Sequence, residues 1–324
     1  MAGVLVFGDV IGGALAPASL EVATAGAALA AALGEPLLGA LVGDNLKSAA
    51  EQFRGGFSSL YLVEGKHYRP YTAQASLAAA QAVIAACAPS VVLFCHTPET
   101  REWVPRLAAR LDTGLVTDCT VLSVEGKDLV VNKPVYGGGV MGEFVVRGTP
   151  RLATVRAAIF EACAASAAAQ TIAVDVPVPA PGKVTLIDQV EAAATAGPKL
   201  KDAKIIVSGG RGLGGKDNWH FIEETATALG AAVGCSRPVA DSGWVPSSHQ
   251  VGLSGTCVTP DLYVAVGISG AVQHLAGISA AKTVVAINND AEADIFTRAN
   301  YGVVGDCREV LPAFAARVKQ LRSS

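Results

Sequence analysis

The sequence predicts an α/β protein built from two α/β domains, the C-terminal one a doubly wound parallel sheet. Three observations predict it. Short apolar runs alternate with alanine-rich helical segments in the first half of the chain, a proline-rich stretch interrupts this pattern, and a regular strand–helix alternation resumes at residue 203. The length of 324 residues also suits two domains, because domains usually contain roughly 100–200 residues.

The composition excludes several classes of protein. Hydrophobic residues make up 51% and charged residues 16% of the chain, as in proteins with well-buried cores. The net charge of −3 gives no basic footprint, so we expect no nucleic-acid partner. The longest apolar stretch, residues 78–95, is interrupted by Pro89 and Ser90, so we expect no direct membrane insertion.

The N-terminus and the cysteines indicate a cytoplasmic protein. No Lys or Arg precedes Lys47, whereas secretory signals and mitochondrial transit peptides need basic residues near the start. The seven cysteines are scattered and form no C-x-x-C pair, which favours reduced thiols over disulfides or a zinc site.

The first half of the chain predicts a mostly parallel sheet with covering helices. Strands are expected at residues 4–7, 38–42, 60–63, 91–95 and 144–147, helices at 17–33, 72–87, 100–110 and 151–170, and a hairpin at 120–124 with 129–132. Asp9 follows the first strand. It could face a ligand, although a helix-capping role is the favoured interpretation.

Proline and glycine break the regular pattern between residues 176 and 201. We therefore predict an N-terminal domain at residues 1–195 and a C-terminal domain at residues 196–324. A proline-rich segment of this kind is also compatible with an ordered excursion that wraps a partner.

The C-terminal domain shows five strands, each followed by a loop of small and polar residues. The strands are expected at residues 205–207, 231–233, 263–266, 284–287 and 303–304. In an open parallel sheet these loops share the edge beyond the carboxyl ends of the strands, where ligands of doubly wound sheets bind. The sequence thus predicts a long polar groove on one edge.

The first of these loops is suited to a phosphate group. Residues 209–215 contain five glycines and Arg211, and a helix is expected near Asn218. Glycines allow the backbone to approach a phosphate, and arginine donates two hydrogen bonds to phosphate oxygens. The spacing Gly210-x-Gly212-x-x-Gly215 matches the dinucleotide fingerprint, although a glycine turn with a solvated arginine would give the same letters.

The other loops narrow the choice of ligand. The second strand ends in Ser236 and Arg237, without the acidic residue that usually binds the ribose of NAD, which argues against ordinary NAD binding. Arg237 is equally compatible with a surface salt bridge, for example with Asp241. Ser254 offers a hydroxyl to the edge of a heterocycle, and His274 lies about one turn into a helix, where a structural role is as compatible as a functional one.

Several motifs in residues 203–311 resemble the alpha subunit of electron-transfer flavoproteins. They are VSGGRG at 207–212, GCSRP at 234–238, QVG at 250–252, AVGISGAVQHLAG at 265–277 and AIN at 286–288. The N-terminal domain resembles the family more loosely, chiefly in its strand order and in residues 147–149. The resemblance implies an obligate heterodimer with a beta subunit and one FAD held mainly by the C-terminal domain.

The resemblance also implies which residues bind the cofactor. Arg211, Ser236 and the loop from Val251 to Ser254 would serve the phosphates and the flavin edge. The segment from Ser269 to His274 would serve the ring and its linkage, and Asn288 and Asp306 would serve the adenosine end. Arg237 would lie beside the isoalloxazine ring and His274 would reach its pyrimidine carbonyl. The full set is Arg211, Ser236, Arg237, Gln250, Val251, Gly252, Leu253, Ser254, Ser269, Gly270, Ala271, Val272, Gln273, His274, Asn288 and Asp306. Many family members carry threonine where this chain has Ser254.

The family's function implies an electron carrier rather than a substrate-converting enzyme. In the family, electrons come from dehydrogenases such as the acyl-CoA type of fatty acid beta-oxidation and pass to a membrane quinone oxidoreductase. Some members bifurcate electrons with a second FAD in the beta subunit. Two other interpretations stay open from the residues: an NAD(P)-binding dehydrogenase or transhydrogenase-like domain, and a non-catalytic nucleotide-binding regulator.

Overall fold

The computed structural model describes residues 2–53, 55–138, 140–163, 169–179, 184, 186–188, 199–201 and 203–323. The chain divides into two compact units, the first formed by Met1–Val135 and Val140–Gln189, the second by Tyr136–Gly139 and Val190–Ser324. The boundary expected near residue 195 lies outside the described residues and stays a prediction.

The first unit contains a seven-stranded sheet with helices on both faces. Its elements are β1 (Val4–Gly8), β2 (Val10–Ile11), β3 (Ala14–Leu15), α1 (Ala18–Leu33), β4 (Leu37–Gly43), α2 (Lys47–Gln52), β5 (Ser59–Glu64), α3 (Ala73–Cys87), β6 (Val91–Cys95), α4 (Pro98–Arg110), β7 (Leu115–Cys119), β8 (Val121–Glu125), β9 (Asp128–Val135), β10 (Val140–Val146), β11 (Arg151–Val155) and β12 (Gln170–Ala173).

The large sheet of this unit is parallel throughout, in the order β12-β5-β4-β1-β6-β11-β7. Alternate side chains of β1 explain the helices on both faces. Val4 and Val6 pack in the core that α1 covers, whereas Leu5 and Phe7 pack in the core of α3 and α4. The predicted sheet and hairpin are thus confirmed, with β8–β9–β10 forming a separate antiparallel sheet.

The predicted helix at residues 151–170 is wrong. Arg151–Val155 forms β11, which pairs with β6 on one side and β7 on the other, and Gln170–Ala173 forms β12 beside β5. Residues 152–155 are fully buried, so pairing between two strands outweighs the helical propensity of the alanines that follow. Part of the predicted helix, residues 164–168, lies outside the described residues.

The second unit contains a five-stranded parallel sheet. Its elements are β13 (Ile205–Gly209), α5 (His220–Leu229), β14 (Ala232–Cys235), α6 (Arg237–Asp241), β15 (Leu262–Val266), α7 (Val272–Gly277), β16 (Thr283–Asn288), β17 (Tyr301–Val304) and α8 (Cys307–Ser323), with 3-10 turns at Arg211–Leu213 and Lys216–Trp219.

The order β14-β13-β15-β16-β17 makes this sheet doubly wound, because the chain moves outward in opposite directions from β13. Each face of the sheet has its own hydrophobic core. Val207 and Val264 belong to the core on the face of Trp219 and α5, whereas Ile206 and Tyr263 belong to the core on the opposite face, with Ile278. The predicted fold class is confirmed, and the loops after β13 and β15 diverge at the point where such sheets bind ligands.

Candidate functional site

A cavity of about 610 Å³ lies at the carboxyl edge of the five-stranded sheet. This volume falls within the roughly 300–1,000 Å³ of ordinary small-molecule sites. Eleven of the sixteen residues that the sequence singles out line it: Arg211, Ser236, Arg237, Val251, Gly252, Ser254, Ser269, Ala271, Gln273, His274 and Asn288. Gln250, Leu253, Gly270, Val272 and Asp306 do not line it. Whether each residue contacts a ligand stays a prediction.

The floor of the cavity depends on contact between two glycine loops. The amide of Gly210 donates to the Val266 carbonyl at 2.7 Å, and that of Gly212 donates to the Gly267 carbonyl at 2.9 Å. A Cβ atom at Gly210 would lie 2.2 Å from the Gly267 oxygen, well inside van der Waals contact. Gly267 itself has a φ of +60°, which favours glycine. Only glycine therefore fits at this crossing of backbones.

The helix that follows the glycine loop at residues 209–215 begins later than the sequence predicts. Lys216–Trp219 is a 3-10 turn, and α5 begins at His220, two residues after the expected position. Arg211 is exposed, lines the cavity and has no ion-pair partner among the described residues. Its guanidinium is therefore available for an anionic ligand.

Ser236 and Arg237 stand at the start of α6, beside the cavity. Ser236 is buried and occupies the N-cap position, whereas Arg237 is two-thirds exposed. The Nε atom of Arg237 lies 3.3 Å from Oδ2 of Asp241, so the local ion pair that the sequence left open does form. Such an exposed pair contributes little stability, and a ligand would displace it at small cost.

Two hydrogen bonds fix the loop at residues 250–254, one inside the loop and one to Gln273. Nε2 of Gln250 donates to Oγ of Ser254 at 2.9 Å, and the amide of Leu253 donates to the Gln273 carbonyl at 2.9 Å. Gln250 therefore orients the Ser254 hydroxyl without lining the cavity. The exposed Leu253 side chain contributes only its backbone to this arrangement.

His274 of α7 is the buried titratable group of the cavity wall, with 6% of its surface exposed. Burial lowers its pKa to about 4, against a smaller opposing effect of the Val251 backbone. Its Nε2 lies 2.9 Å from the Tyr263 hydroxyl, whereas Nδ1 is buried and has no hydrogen-bond partner among the described residues. The imidazole is therefore neutral at neutral pH, and one of its ring nitrogens is left for a ligand.

The loop after β16 brings two further polar residues to the cavity. Asn288 donates to the Ile268 carbonyl at 3.0 Å and accepts from the Asp290 amide at 3.1 Å, so it ties two loops together. Asn289 and Asp290 line the cavity, although the sequence pattern did not single them out as site residues. Asp306 instead pairs with Arg308, whose hydrogen bond lowers the carboxyl pKa to about 2.

The residues present fit a dinucleotide with an anionic linkage. Two arginines, Arg211 and Arg237, face the cavity against one acid, Asp290. Hydroxyls of Ser236, Ser254 and Ser269 and the amide of Asn288 supply further donors. Nδ1 of His274 has no hydrogen bond of normal geometry to the described residues, although the Val251 backbone raises the pKa of the ring, so this nitrogen can serve a ligand.

Two family models match the chain. The electron transfer flavoprotein domain matches residues 4–181, and the electron transfer flavoprotein FAD-binding domain matches residues 199–279. The fold, the cavity and these matches together define an FAD-binding α/β flavoprotein, so FAD is the cofactor of the second unit.

Named relatives narrow the class further. The chain is 38% identical to the electron transfer flavoprotein subunit alpha of Bacillus subtilis over 319 residues, which cover 98% of each chain. It is 38% identical to the corresponding subunit of Mycobacterium leprae over 323 residues, covering 98% of this chain and 99% of the relative. It is also 36% identical to the electron transfer flavoprotein subunit alpha of Syntrophomonas wolfei over 288 residues, which cover 89% of this chain and 91% of the relative. The chain therefore belongs to the alpha-subunit family of electron-transfer flavoproteins.

A second cavity, of about 310 Å³, lies in the first unit beyond β1 and β4. Asp9 lines it, and Oδ2 of this residue is buried without a partner among the described residues. The favoured capping role of Asp9 is wrong for α1, because Pro17 occupies the N-cap position without any side-chain capping bond. Burial, with the Glu99 charge as a smaller cause, raises the pKa of Asp9 to about 7.

Sequence reasoning missed Tyr263, which holds His274 from inside the sheet. The two residues are eleven positions apart, and only the packing of α7 on β15 brings them together. A tyrosine in an otherwise aliphatic buried strand was the available signal, because a buried hydroxyl needs a partner. In the described part of the chain, no helix is long and apolar enough to cross a membrane.

Proposed function

We propose that this chain is the FAD-carrying subunit of a heterodimer with an electron-transfer flavoprotein beta subunit. The heterodimer takes electrons from dehydrogenases, such as the acyl-CoA type, and passes them to a membrane quinone oxidoreductase. The observation that supports this most is the cavity of the second unit, whose arginines, hydroxyls and His274 lie within the part matched by the FAD-binding family model. A cytoplasmic location remains part of the proposal.

Different residues of the cavity would bind different parts of FAD. Arg211 would bind the diphosphate, because a guanidinium is a usual donor to phosphate oxygens, whereas the amides of Gly210 and Gly212 already donate to backbone carbonyls. Ser254, held by Gln250, would offer its hydroxyl to the flavin edge. When bound, FAD supplies one- and two-electron transfer, and the protein contributes binding, orientation and electrostatics.

Arg237 and His274 would act differently on the flavin ring. Arginine keeps its charge at every accessible pH, so Arg237 would stabilise negative charge on the ring. The pKa of about 4 makes His274 a neutral hydrogen-bond donor at neutral pH. The apolar side chains of Val251, Ile268 and Ala293 also line the cavity and would keep water from the ring.

Exposed apolar residues in the proline-rich segment support the presence of a partner subunit. Val178, Val184 and Ile187 are 69%, 89% and 97% exposed. Exposed apolar surface promotes association, so we expect this chain to aggregate when it is produced alone. Light scattering would measure this directly. A monodisperse, FAD-replete monomer would contradict an obligate partner.

Co-expression with a beta subunit followed by visible spectroscopy tests the proposal as a whole. We expect flavin absorbance in the purified heterodimer, and bleaching of that absorbance when an acyl-CoA dehydrogenase and its substrate are added. A colourless complex that binds NADH or NADPH would favour the dehydrogenase or transhydrogenase-like alternative. A flavin that no dehydrogenase reduces would contradict the proposed donor.

A further inference from the structure

Tyr263 is a fully buried residue of β15 whose hydroxyl lies 2.9 Å from Nε2 of His274. It does not line the cavity, whereas His274 does. Tyr263 can therefore influence a ligand of the cavity only through the imidazole that it contacts. Ser208 of β13, also fully buried, lies on the same face of the sheet, one strand away.

The protons of this buried group can be placed by counting donors and acceptors. Burial raises the pKa of Tyr263 far above its usual range, so the hydroxyl keeps its proton and needs an acceptor. A neutral imidazole has one N–H donor and one bare acceptor nitrogen. If Tyr263 donates to Nε2, the ring proton lies on Nδ1, the nitrogen without a partner among the described residues.

If Nε2 of His274 were the donor and Tyr263 the acceptor, fewer polar groups would have hydrogen-bond partners. If Nε2 donated to the tyrosine oxygen, the tyrosine proton would need Ser208 as acceptor. The Ser208 hydroxyl lies outside hydrogen-bond geometry, so the tyrosine proton would have no acceptor among the described residues. Nδ1 would also be left as a buried bare acceptor. The first arrangement therefore accounts for both residues.

We infer that Tyr263 is a positioning residue of the FAD site: its hydroxyl donates to Nε2 of His274, fixes the ring and presents Nδ1–H as the donor for the ligand. The inference rests on the proposed function, because FAD is that ligand. The charged groups of the cavity wall that accompany His274 are Arg211, Arg237 and Asp290. Nδ1 has no hydrogen bond to any of these three groups, and the Val251 backbone raises the pKa of the ring without forming a hydrogen bond of normal geometry, so this donor stays available to the cofactor.

Nitrogen NMR of the full chain in complex with its beta subunit, with and without FAD, tests the tautomer directly. Long-range proton–nitrogen spectra distinguish imidazoles protonated on Nδ1 from those protonated on Nε2, and His274→Gln identifies the signal. We expect a single Nδ1–H form of His274 in the wild type and a mixture of tautomers in Tyr263→Phe. A wild-type ring protonated on Nε2, or a spectrum that Tyr263→Phe leaves unchanged, would overturn the inference.

A double-mutant cycle on FAD affinity tests the route through His274. Tyr263→Phe should weaken FAD binding about tenfold in the wild-type background, the ratio for one buried hydrogen bond, and should have no further effect in His274→Gln. The exposed Tyr301→Phe in the same unit is the control and should bind FAD normally. Equal fold-changes of Tyr263→Phe in both backgrounds would overturn the inference, as would no change in either.

These experiments distinguish failure of the proposed function from failure of the inference about Tyr263. A wild-type heterodimer that binds no FAD in either measurement contradicts the proposed function, whereas one that binds FAD but shows additive effects contradicts only the role of Tyr263. Thermal unfolding of each variant without FAD verifies that the isosteric change leaves the fold intact, so that a weaker affinity reports on the site.

Discussion

The two units use the same architecture to build cavities of opposite character. Each has a parallel sheet whose strand order diverges from a central strand, and each has a cavity at its carboxyl edge. The cavity of the second unit is lined by two arginines and one acid. That of the first, half as large, is lined by Asp9, Asp44 and Glu99 against Arg69. The sheet therefore determines where a ligand can bind, and the loops determine which ligand.

The loops also differ in how closely the backbones approach. In the second unit, the backbones of Gly210 and Gly212 lie close against Gly267, and Gly212 and Gly267 line the cavity. In the first unit, aromatic side chains such as Phe7 and Trp103 fill the wall of the corresponding cavity. Similar folds thus give one larger cavity lined by two arginines and one smaller cavity lined mainly by acids.

The largest expected effect concerns the acidic cavity. The pKa of Asp9 rises from 3.8 to about 7 on folding, so between these values the folded protein holds a proton that the unfolded chain has lost. The stability from this proton is fully present below pH 4 and is lost as the pH rises through 7. Asp9→Asn should therefore be more stable than the wild type at pH 8, by up to about 4 kcal/mol, and should lose this advantage near pH 4.

Urea unfolding of both proteins across this pH range measures the effect. An identical pH dependence in the two proteins would mean that the carboxyl of Asp9 finds a partner that satisfies its charged form.

Disrupting the backbone contact between Gly210 and Gly267 in the second unit should have the second largest effect on stability. Gly210→Ala places a Cβ atom 2.2 Å from the Gly267 oxygen, a backbone atom that cannot rotate away, and should cost about 3 kcal/mol of unfolding free energy. Gly215→Ala is the matched control, because its Cβ would meet no atom within 4 Å and its φ of 174° suits any residue. Equal stability of the two variants would contradict the described contact.

Removing one cation from each cavity should affect FAD only in the second unit. Arg211→Ala should weaken FAD binding by about 2 kcal/mol, the value of a charge-assisted contact. Arg69→Ala, which removes the arginine of the acidic cavity, should leave FAD affinity unchanged. Fluorescence titration with FAD measures both. Normal FAD affinity in Arg211→Ala would assign this arginine to solvent.

The smallest expected effect concerns Arg237. Its ion pair with Asp241 is exposed on both sides, so Arg237→Ala should leave the unfolding free energy nearly unchanged. If the arginine lies beside the flavin ring, its loss should still make reduction of the flavin less favourable by about 1 kcal/mol. Spectroelectrochemical titration would detect this change. An unchanged potential with FAD still bound would leave Arg237 as a surface residue.

Much of the cofactor site could be predicted from the sequence because its residues follow strands directly. Arg211, Ser236 and His274 each lie shortly after a strand of one parallel sheet, so strand order alone brings them to the same edge. The pairing of Tyr263 with His274 and the contact of Gly210 with Gly267 depend on distances between separate elements, which no local pattern encodes. The strand at Arg151–Val155 was missed for the same reason: its partners, β6 and β7, are distant in sequence.

The stoichiometry of FAD in the full chain tests the central claim most directly, since only the cavity of the second unit is expected to bind the cofactor. Titration of FAD-depleted chain, co-purified with its beta subunit, should show one FAD per alpha chain that Gly210→Ala eliminates and that Asp9→Asn and Gly215→Ala retain. If Gly210→Ala takes up the same FAD as the wild type, or if Asp9→Asn loses it, the cofactor does not occupy the cavity of the second unit.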